Sequence, residues 1–200
     1  MPIFARNVKG MTEVLRRRTV GVAGCGGLGS NAALALTRAG IGRLILADFD
    51  KVEASNLNRQ QFTRADIGAD KVAALAAHLR GINPKLSLAE RLVKLSPANV
   101  AEVFAEADLL IEAFDRAEAK KWLIESWCRA FPGRHIVCGN GVAGYGANTS
   151  LKVERLGDCI WLCGDCESDM SMGLCSARVA VVANMQANLA IELLMQDRRA

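Results

Sequence analysis

The chain has 200 residues, 51% of them hydrophobic, which suits one domain with a sizeable buried core. Its 25 basic and 21 acidic residues leave a net charge of +4 and are interspersed apart from Arg16-Arg17-Arg18 and Arg198-Arg199, a balance too mild and too mixed for a nucleic-acid surface. No apolar run approaches the roughly 20 residues that cross a bilayer, the N-terminus lacks a secretory apolar stretch, and the 7 cysteines are an odd count, so the expectation is a cytoplasmic protein with reduced thiols and no membrane partner.

Residues 1–18 read as an N-terminal arm and helix whose Arg16–Arg18 end is solvated or meets an acidic partner. An apolar strand at 19–23 then enters a glycine turn, Gly24-Cys25-Gly26-Gly27-Leu28-Gly29, followed by the helix Ser30-Asn31-Ala32-Ala33-Leu34. Gly24 permits the tight turn, Gly26 lets backbone approach a phosphate, and Gly29 lets helix and strand pack closely. The new helix aims free N–H groups and its positive dipole end at the anion. A second apolar run at 43–47 ends in Asp48, where a carboxylate bonds a ribose hydroxyl. Taken alone, this pattern leaves a nicotinamide or flavin dehydrogenase open.

Asp50 follows, then Asn56-Leu57-Asn58-Arg59-Gln60-Gln61, then Lys71 at the head of the helical pattern 71–79. Dehydrogenases do not require this series, whereas a triphosphate needs fixed cations and amides around it. Arg59 and Lys71 are the natural clamps. Apolar runs at 86–89, 108–113 and 135–138 continue the strand–helix alternation, which means a mainly parallel sheet with helices on both faces, a Rossmann-like α/β single domain. The strand at 108–113 leads to Asp115. A carboxylate facing phosphates needs a cation between, so Asp115 reads as a Mg²⁺ ligand or, alternatively, as the N-cap of the helix from Ala117.

Gly139–Gly146 and 157–178 are glycine- or cysteine-rich and read as loops at the carboxyl edge of the sheet, where ligands sit. Cys25, Cys128 and Cys138 lie in apolar or glycine-rich strings and read as core residues. Residues 184–196 read as a closing helix packed on the core, and His78 and His135 as surface and strand residues.

Together the glycine turn with Gly27, Asp48-Phe49-Asp50, Asn56-Leu57-Asn58-Arg59-Gln60, Lys71 and Asp115 closely resemble the adenylation domain of the ThiF/MoeB family, relatives of ubiquitin-activating enzymes. The resemblance covers nearly the whole chain. It implies that Asp48 holds the ribose of ATP, that Asn56, Arg59, Gln60 and Lys71 contact its phosphates, and that Asp115 binds Mg²⁺. It also implies a reaction, in which the C-terminal glycine carboxylate of a small ubiquitin-like sulfur carrier ending in Gly-Gly attacks the α-phosphorus of ATP, giving acyl-adenylate and pyrophosphate. No general base is needed, because a carboxylate is already ionised at neutral pH. By length and by its 139–146 and 163–165 segments the chain looks like the shorter ThiF-type proteins of thiamine biosynthesis. The family works as a homodimer in which a partner arginine reaches ATP, and here only Arg6, in Phe4-Ala5-Arg6-Asn7, offers a match. A nicotinamide-dependent oxidoreductase and a non-catalytic module that grips a ubiquitin-like protein are the alternatives.

Many relatives hold a structural Zn²⁺ with two Cys-x-x-Cys pairs, and this chain has one such pair, Cys163 and Cys166. Cys159 and Cys175 would complete four ligands, and a metal-free loop accounts for the same residues. Cys175 stands just before the return into the last helix, where some sulfur-carrier activating enzymes place a cysteine that takes the activated carrier. Arg178 would favour its thiolate; an inert buried thiol is the other reading.

Overall fold

Short runs of four to six residues, apolar in the central strands and charged in the two border strands, assemble into one sheet. In the computed structural model, which describes residues 3–196, the chain runs α1 (Met11–Leu15), β1 (Thr19–Ala23), α2 (Gly27–Ala39), β2 (Arg43–Asp48), α3 (Lys71–Ile82), β3 (Ser87–Leu92), α4 (Val100–Val103), β4 (Leu109–Glu112), α5 (Ala117–Ala130), β5 (His135–Gly139), β6 (Lys152–Leu156), β7 (Ile160–Gly164) and α6 (Ser176–Gln196). The Arg198-Arg199 pair lies outside the described residues.

The strands lie in the order β3-β2-β1-β4-β5-β7-β6, all parallel except β6, which runs antiparallel to β7 at one edge. The order reverses between β1 and β4. Crossovers from these neighbours leave toward opposite faces and open a crevice at their carboxyl ends. Apolar residues fill both faces: Leu36, Leu46, Leu75, Val182 and Leu194 on one, Phe104, Leu110, Leu123, Trp127 and Ile136 on the other.

Three expectations change. The 157–178 segment is not a single loop, because Ile160-Trp161-Leu162-Cys163 pairs on β5 as β7 and turns back on β6. The closing helix starts at Ser176, eight residues earlier than the apolar pattern indicates, since its first turn is occupied by the polar Arg178. Arg16 and Arg17 are exposed, but Arg18 is buried and donates to Leu194 O at 3.2 Å, which ties the start of β1 to the end of α6. By length and composition α6 is the one described helix able to cross a bilayer, yet half of it is buried against α2 and the sheet, as a core helix is.

Candidate functional site

The glycine turn is shaped by close contacts that only bare backbone survives. Gly24 has φ 94°, in the left-handed region, and a Cβ at Gly29 would stand 1.8 Å from Gly24 O. Gly26 differs. Its added Cβ would meet only Gln60 Nε2 at 3.6 Å, so this side of the loop faces open space. Asp48, at the end of β2, grips the loop: Oδ2 accepts from Cys25 N at 2.6 Å and Oδ1 from Asp50 N at 2.8 Å. A carboxylate has about four lone-pair sites, so two remain for a ribose diol.

Helix α2 also holds the Asn56–Gln61 segment. Asn31 Nδ2 donates to Arg59 O at 3.1 Å, Gln61 N donates to Ser30 Oγ at 3.1 Å, and Gln61 Nε2 donates to Asn31 Oδ1 at 2.7 Å. Arg59 Nη1 donates to Ser55 O and Asn58 Oδ1, fixing the guanidinium at the wall. Asn56 and Gln60 are buried, and Gln60 Oε1 has no hydrogen-bond partner among the described residues. A buried acceptor left open is a place a ligand or water would complete.

Lys71 is the first residue of α3 and is buried, with its Nζ 2.8 Å from Asp50 Oδ2. A cation at a helix N-terminus opposes the dipole, and burying it costs more. Such a residue breaks local rules and marks a site. A short antiparallel bridge, Lys51 to Asp70, brings it there, and Lys71 N donates to Asp50 O at 2.9 Å.

Across the crevice, β4 ends in Glu112, and Asp115 follows in the loop, exposed. The N-cap position of α5 falls on Arg116, and no side chain caps the helix. Asp115 is thus free of the capping task. Glu112 is fully buried and accepts from Lys120 Nζ at 2.9 and 3.1 Å and from Phe114 N at 2.7 Å. Burial pushes this carboxyl up and the Lys120 ammonium opposes it. In the sequence this pair has a single weak signal, an acidic residue closing an apolar strand eight positions before a lysine.

Gly24, Gly26, Gly27, Asp48, Asp50, Asn56, Arg59, Gln60, Lys71 and Asp115 all line one cleft of about 880 Å³. Phe49 lies on its rim with Lys94 Nζ 5.5 Å from the ring centroid. The arm carrying Arg6 packs elsewhere, Asn7 Nδ2 bonding Ala39 O at the far end of α2, so Arg6 is exposed and away from this chain's own cleft.

The four cysteines are not gathered. Burial pushes the Cys163 thiol up to about 12, and Cys166 Sγ instead faces Glu154 Oε2 at 3.7 Å. Cys159 sits beside Cys128, a helix α5 residue whose thiol burial raises to about 11. Among the described residues no group of three or more His, Cys, Asp or Glu side chains could hold a metal, so Cys159, Cys163, Cys166 and Cys175 do not form the four-ligand alternative. Cys175 is half-buried; its neighbour Leu174 lines the cleft, and it does not. Arg178 is turned away from it, with Nη2 on Asp165 Oδ2 at 2.5 Å and Nη1 on Gly146 O at 2.6 Å. Burial alone would raise Asp165, but hydrogen bonds from Ser168, Glu167 and Arg178 outweigh it and hold the carboxyl at about 2. Cys25 and Cys138 are buried as expected; His78 bonds Asp66, and His135 lies on β5.

The family model described as the ThiF family matches residues 3–200. The chain belongs to the ThiF family. The SAMP-activating enzyme E1 of Haloferax volcanii is 32% identical over 201 residues, covering 96% of this chain and 72% of that protein. Ubiquitin-like modifier-activating enzyme 5 of Bombyx mori is 38% identical over 119 residues, 54% of this ThiF-family chain and 30% of the relative, so the chain spans under a third of that protein's length. The ThiF fold is seen again in E. coli tRNA N6-threonylcarbamoyladenosine dehydratase, TcdA, in complex with AMP, with TM-score 0.83 at 24% identity over 94% of this chain and 90% of that one.

Proposed function

We propose that this ThiF-family chain is an adenylyltransferase that uses ATP to activate the C-terminal glycine carboxylate of a small ubiquitin-like sulfur carrier ending in Gly-Gly, in thiamine or related sulfur-transfer biosynthesis. One observation carries it. The crevice at the β1–β4 reversal brings a bare glycine turn, a ribose-ready Asp48 and the cations Arg59 and Lys71 into a single cleft. The open space beside Gly26, faced by the donor Gln60 Nε2, fits a polyphosphate there, and the unpartnered Gln60 Oε1 would take a hydrogen bond from a ligand hydroxyl or water instead. The names of the two activating-enzyme relatives support the same reading.

The carrier's carboxylate oxygen forms a bond to the α-phosphorus as the bond to the bridging oxygen of pyrophosphate breaks. Attack by one anion on another is slow in water, so the chain's task is positioning and charge neutralisation. Arg59 and Lys71 neutralise the leaving pyrophosphate. Lys71 gives up its Asp50 partner to the phosphates, exchanging one anion for another. Asp48 fixes the ribose, and Asp115 would hold Mg²⁺ with the phosphates supplying further oxygens. The metal, when bound, draws charge off the phosphoryl oxygens. Arg6 of a second copy reaches the cleft in the homodimer this reading requires, because its own cleft lies at the opposite end of α2. In the covalent version of this reading the Cys175 thiolate bonds to the carrier's acyl carbon as the bond to the AMP phosphate oxygen breaks and AMP leaves; in the other version Cys175, which lies outside the cleft, is an inert thiol.

ATP–pyrophosphate exchange against a panel of Gly-Gly-ended carriers tests the assignment. Carrier-dependent exchange is expected. Binding of NAD with no binding of ATP would return the chain to the oxidoreductase reading, and ATP-independent carrier binding without exchange would make it a non-catalytic module.

A further inference from the structure

Lys120 looks at first like a third phosphate clamp, because it lines the cleft beside Asp115. Its hydrogen bonds decide otherwise. An ammonium has three N–H donors. Those of Lys120 meet Glu112 Oε2 at 2.9 Å, Glu112 Oε1 at 3.1 Å and the carbonyl of Gly139 at 2.7 Å. None is left for a phosphate. Gly139 closes β5 and Glu112 closes β4, so the lysine pins together the ends of two neighbouring strands at the cleft floor. Glu112 then reaches forward, because its Oε1 also accepts from Phe114 N at 2.7 Å, the amide immediately before Asp115.

The buried side of this arrangement is costly on its own terms. Taking a carboxylate fully out of water is unfavourable, and an apolar pair of similar volume would pack as well or better. What the apolar pair would lack is a directed acceptor for Phe114 N and a bridge to Gly139. The loop is also held by Ala113 N donating to Ala23 O at 3.0 Å and by the Phe114 ring 5.6 Å from that of Trp122, but beyond Phe114 these holds end: Asp115 and Arg116 are exposed, and no side-chain cap closes α5.

We propose that Glu112 and Lys120 form a positioning tether that fixes the Phe114–Asp115 turn so that the Asp115 carboxylate is presented to the Mg²⁺ of Mg·ATP. The inference rests on the adenylation reading for the identity of the cation. Neither residue touches substrate. Partners behind a metal ligand change metal affinity about 10- to 100-fold when removed, and that is the size of effect expected here.

The test compares wild type with the double variant Glu112→Leu/Lys120→Met, which removes both charges together and leaves no unpaired ion in the core. Amide exchange read by mass spectrometry on the nucleotide-free protein should speed up about tenfold in the peptide covering 113–119 while β1 and α6 keep their protection. Calorimetric titration of Mg²⁺ into the ATP-saturated protein should show affinity weakened about 10- to 100-fold, with ATP affinity in EDTA changed less than about twofold. Lys120→Arg, which keeps the charge and the donors, should stay within about threefold of wild type on both readings. A folded double variant with unchanged exchange and unchanged Mg²⁺ affinity overturns the tether, as does a Lys120→Arg loss equal to that of the double variant. Should the double variant not fold, Glu112→Gln carries the same two readings: about threefold effects uphold the tether and none overturns it. Wild-type protein that binds neither ATP nor Mg²⁺ sinks the adenylation reading instead, and the exchange comparison, made without nucleotide, then judges the turn on its own.

Discussion

Gly26 and Gly29 stand three residues apart in one loop, yet replacing each with alanine should fail in different ways. At Gly29 the new methyl would lie 1.8 Å from Gly24 O, whereas carbon and oxygen rest no closer than about 3.3 Å, so helix and loop must part by about 1.5 Å. Backbone, not a flexible side chain, is in the way. Overpacking of this kind costs about 1–3 kcal/mol, or about 2–12 °C in melting temperature for a chain of this size. The displaced loop carries the phosphate-facing amides with it, and a shift of about 1 Å at such a site costs about 100-fold. At Gly26 the methyl finds ordinary contact, 3.6 Å from Gln60 Nε2, and enters the cleft. Gly26→Ala should therefore melt within about 2 °C of wild type and still lose ATP, with affinity at least about tenfold weaker. Differential scanning fluorimetry and calorimetric ATP titration on the two variants make the comparison. Wild-type ATP affinity in a folded Gly26→Ala protein would refute the phosphate cradle, and a Gly29→Ala protein that melts as wild type would refute the packing argument.

Asp115→Ala should leave the fold intact, since the side chain is exposed, and abolish carrier-dependent exchange; normal exchange in that variant removes its metal role. Cys175→Ser should keep exchange near normal, because adenylation precedes thiol attack, and should eliminate any covalent carrier adduct seen by mass spectrometry; equal adduct in both proteins assigns Cys175 to packing. Asp165 is held at about 2 against an ordinary 3.8, so its contribution is complete above about pH 4 and is lost as pH falls through about 2. Urea titrations should show on the order of 2 kcal/mol lost between pH 4 and 2 in wild type, and less in Asp165→Asn. Light scattering at micromolar concentration should give a dimer, and a monomer would argue against Arg6 acting across subunits.

The parts of this molecule legible in the sequence are those whose signal is local. A β1 strand running into Gly24, Gly26 and Gly29, with Asp48 closing the next strand, states its own geometry, and the contact at Gly29 shows why. Lys71 is legible because a lysine heading a helix is out of place unless it works. The tether of Glu112, Lys120 and Gly139 was not, because it is made between β4, α5 and β5 and no spacing along the chain announces it. The hairpin of β6 and β7 was hidden by composition: Lys152-Val153-Glu154-Arg155-Leu156 is too charged to read as a strand, and its cysteine-bearing partner reads as a ligand loop. The cysteine spacing misleads for a related reason, since Cys163 is drawn into the sheet by burial while Cys166 turns out at φ 62°.

That same charged composition matters for how the molecule keeps company. A sheet ends in two rows of unpaired amides and carbonyls that invite another strand. Here one border strand, β6, carries Lys152, Glu154 and Arg155, and the other, β3, carries Glu90 and Arg91, with Glu90 engaged by Arg80. Stacking two such borders would place charge on charge or strip it of water, so fibre-like growth from either rim is discouraged. Association is thereby left to the helical faces and the mouth of the crevice.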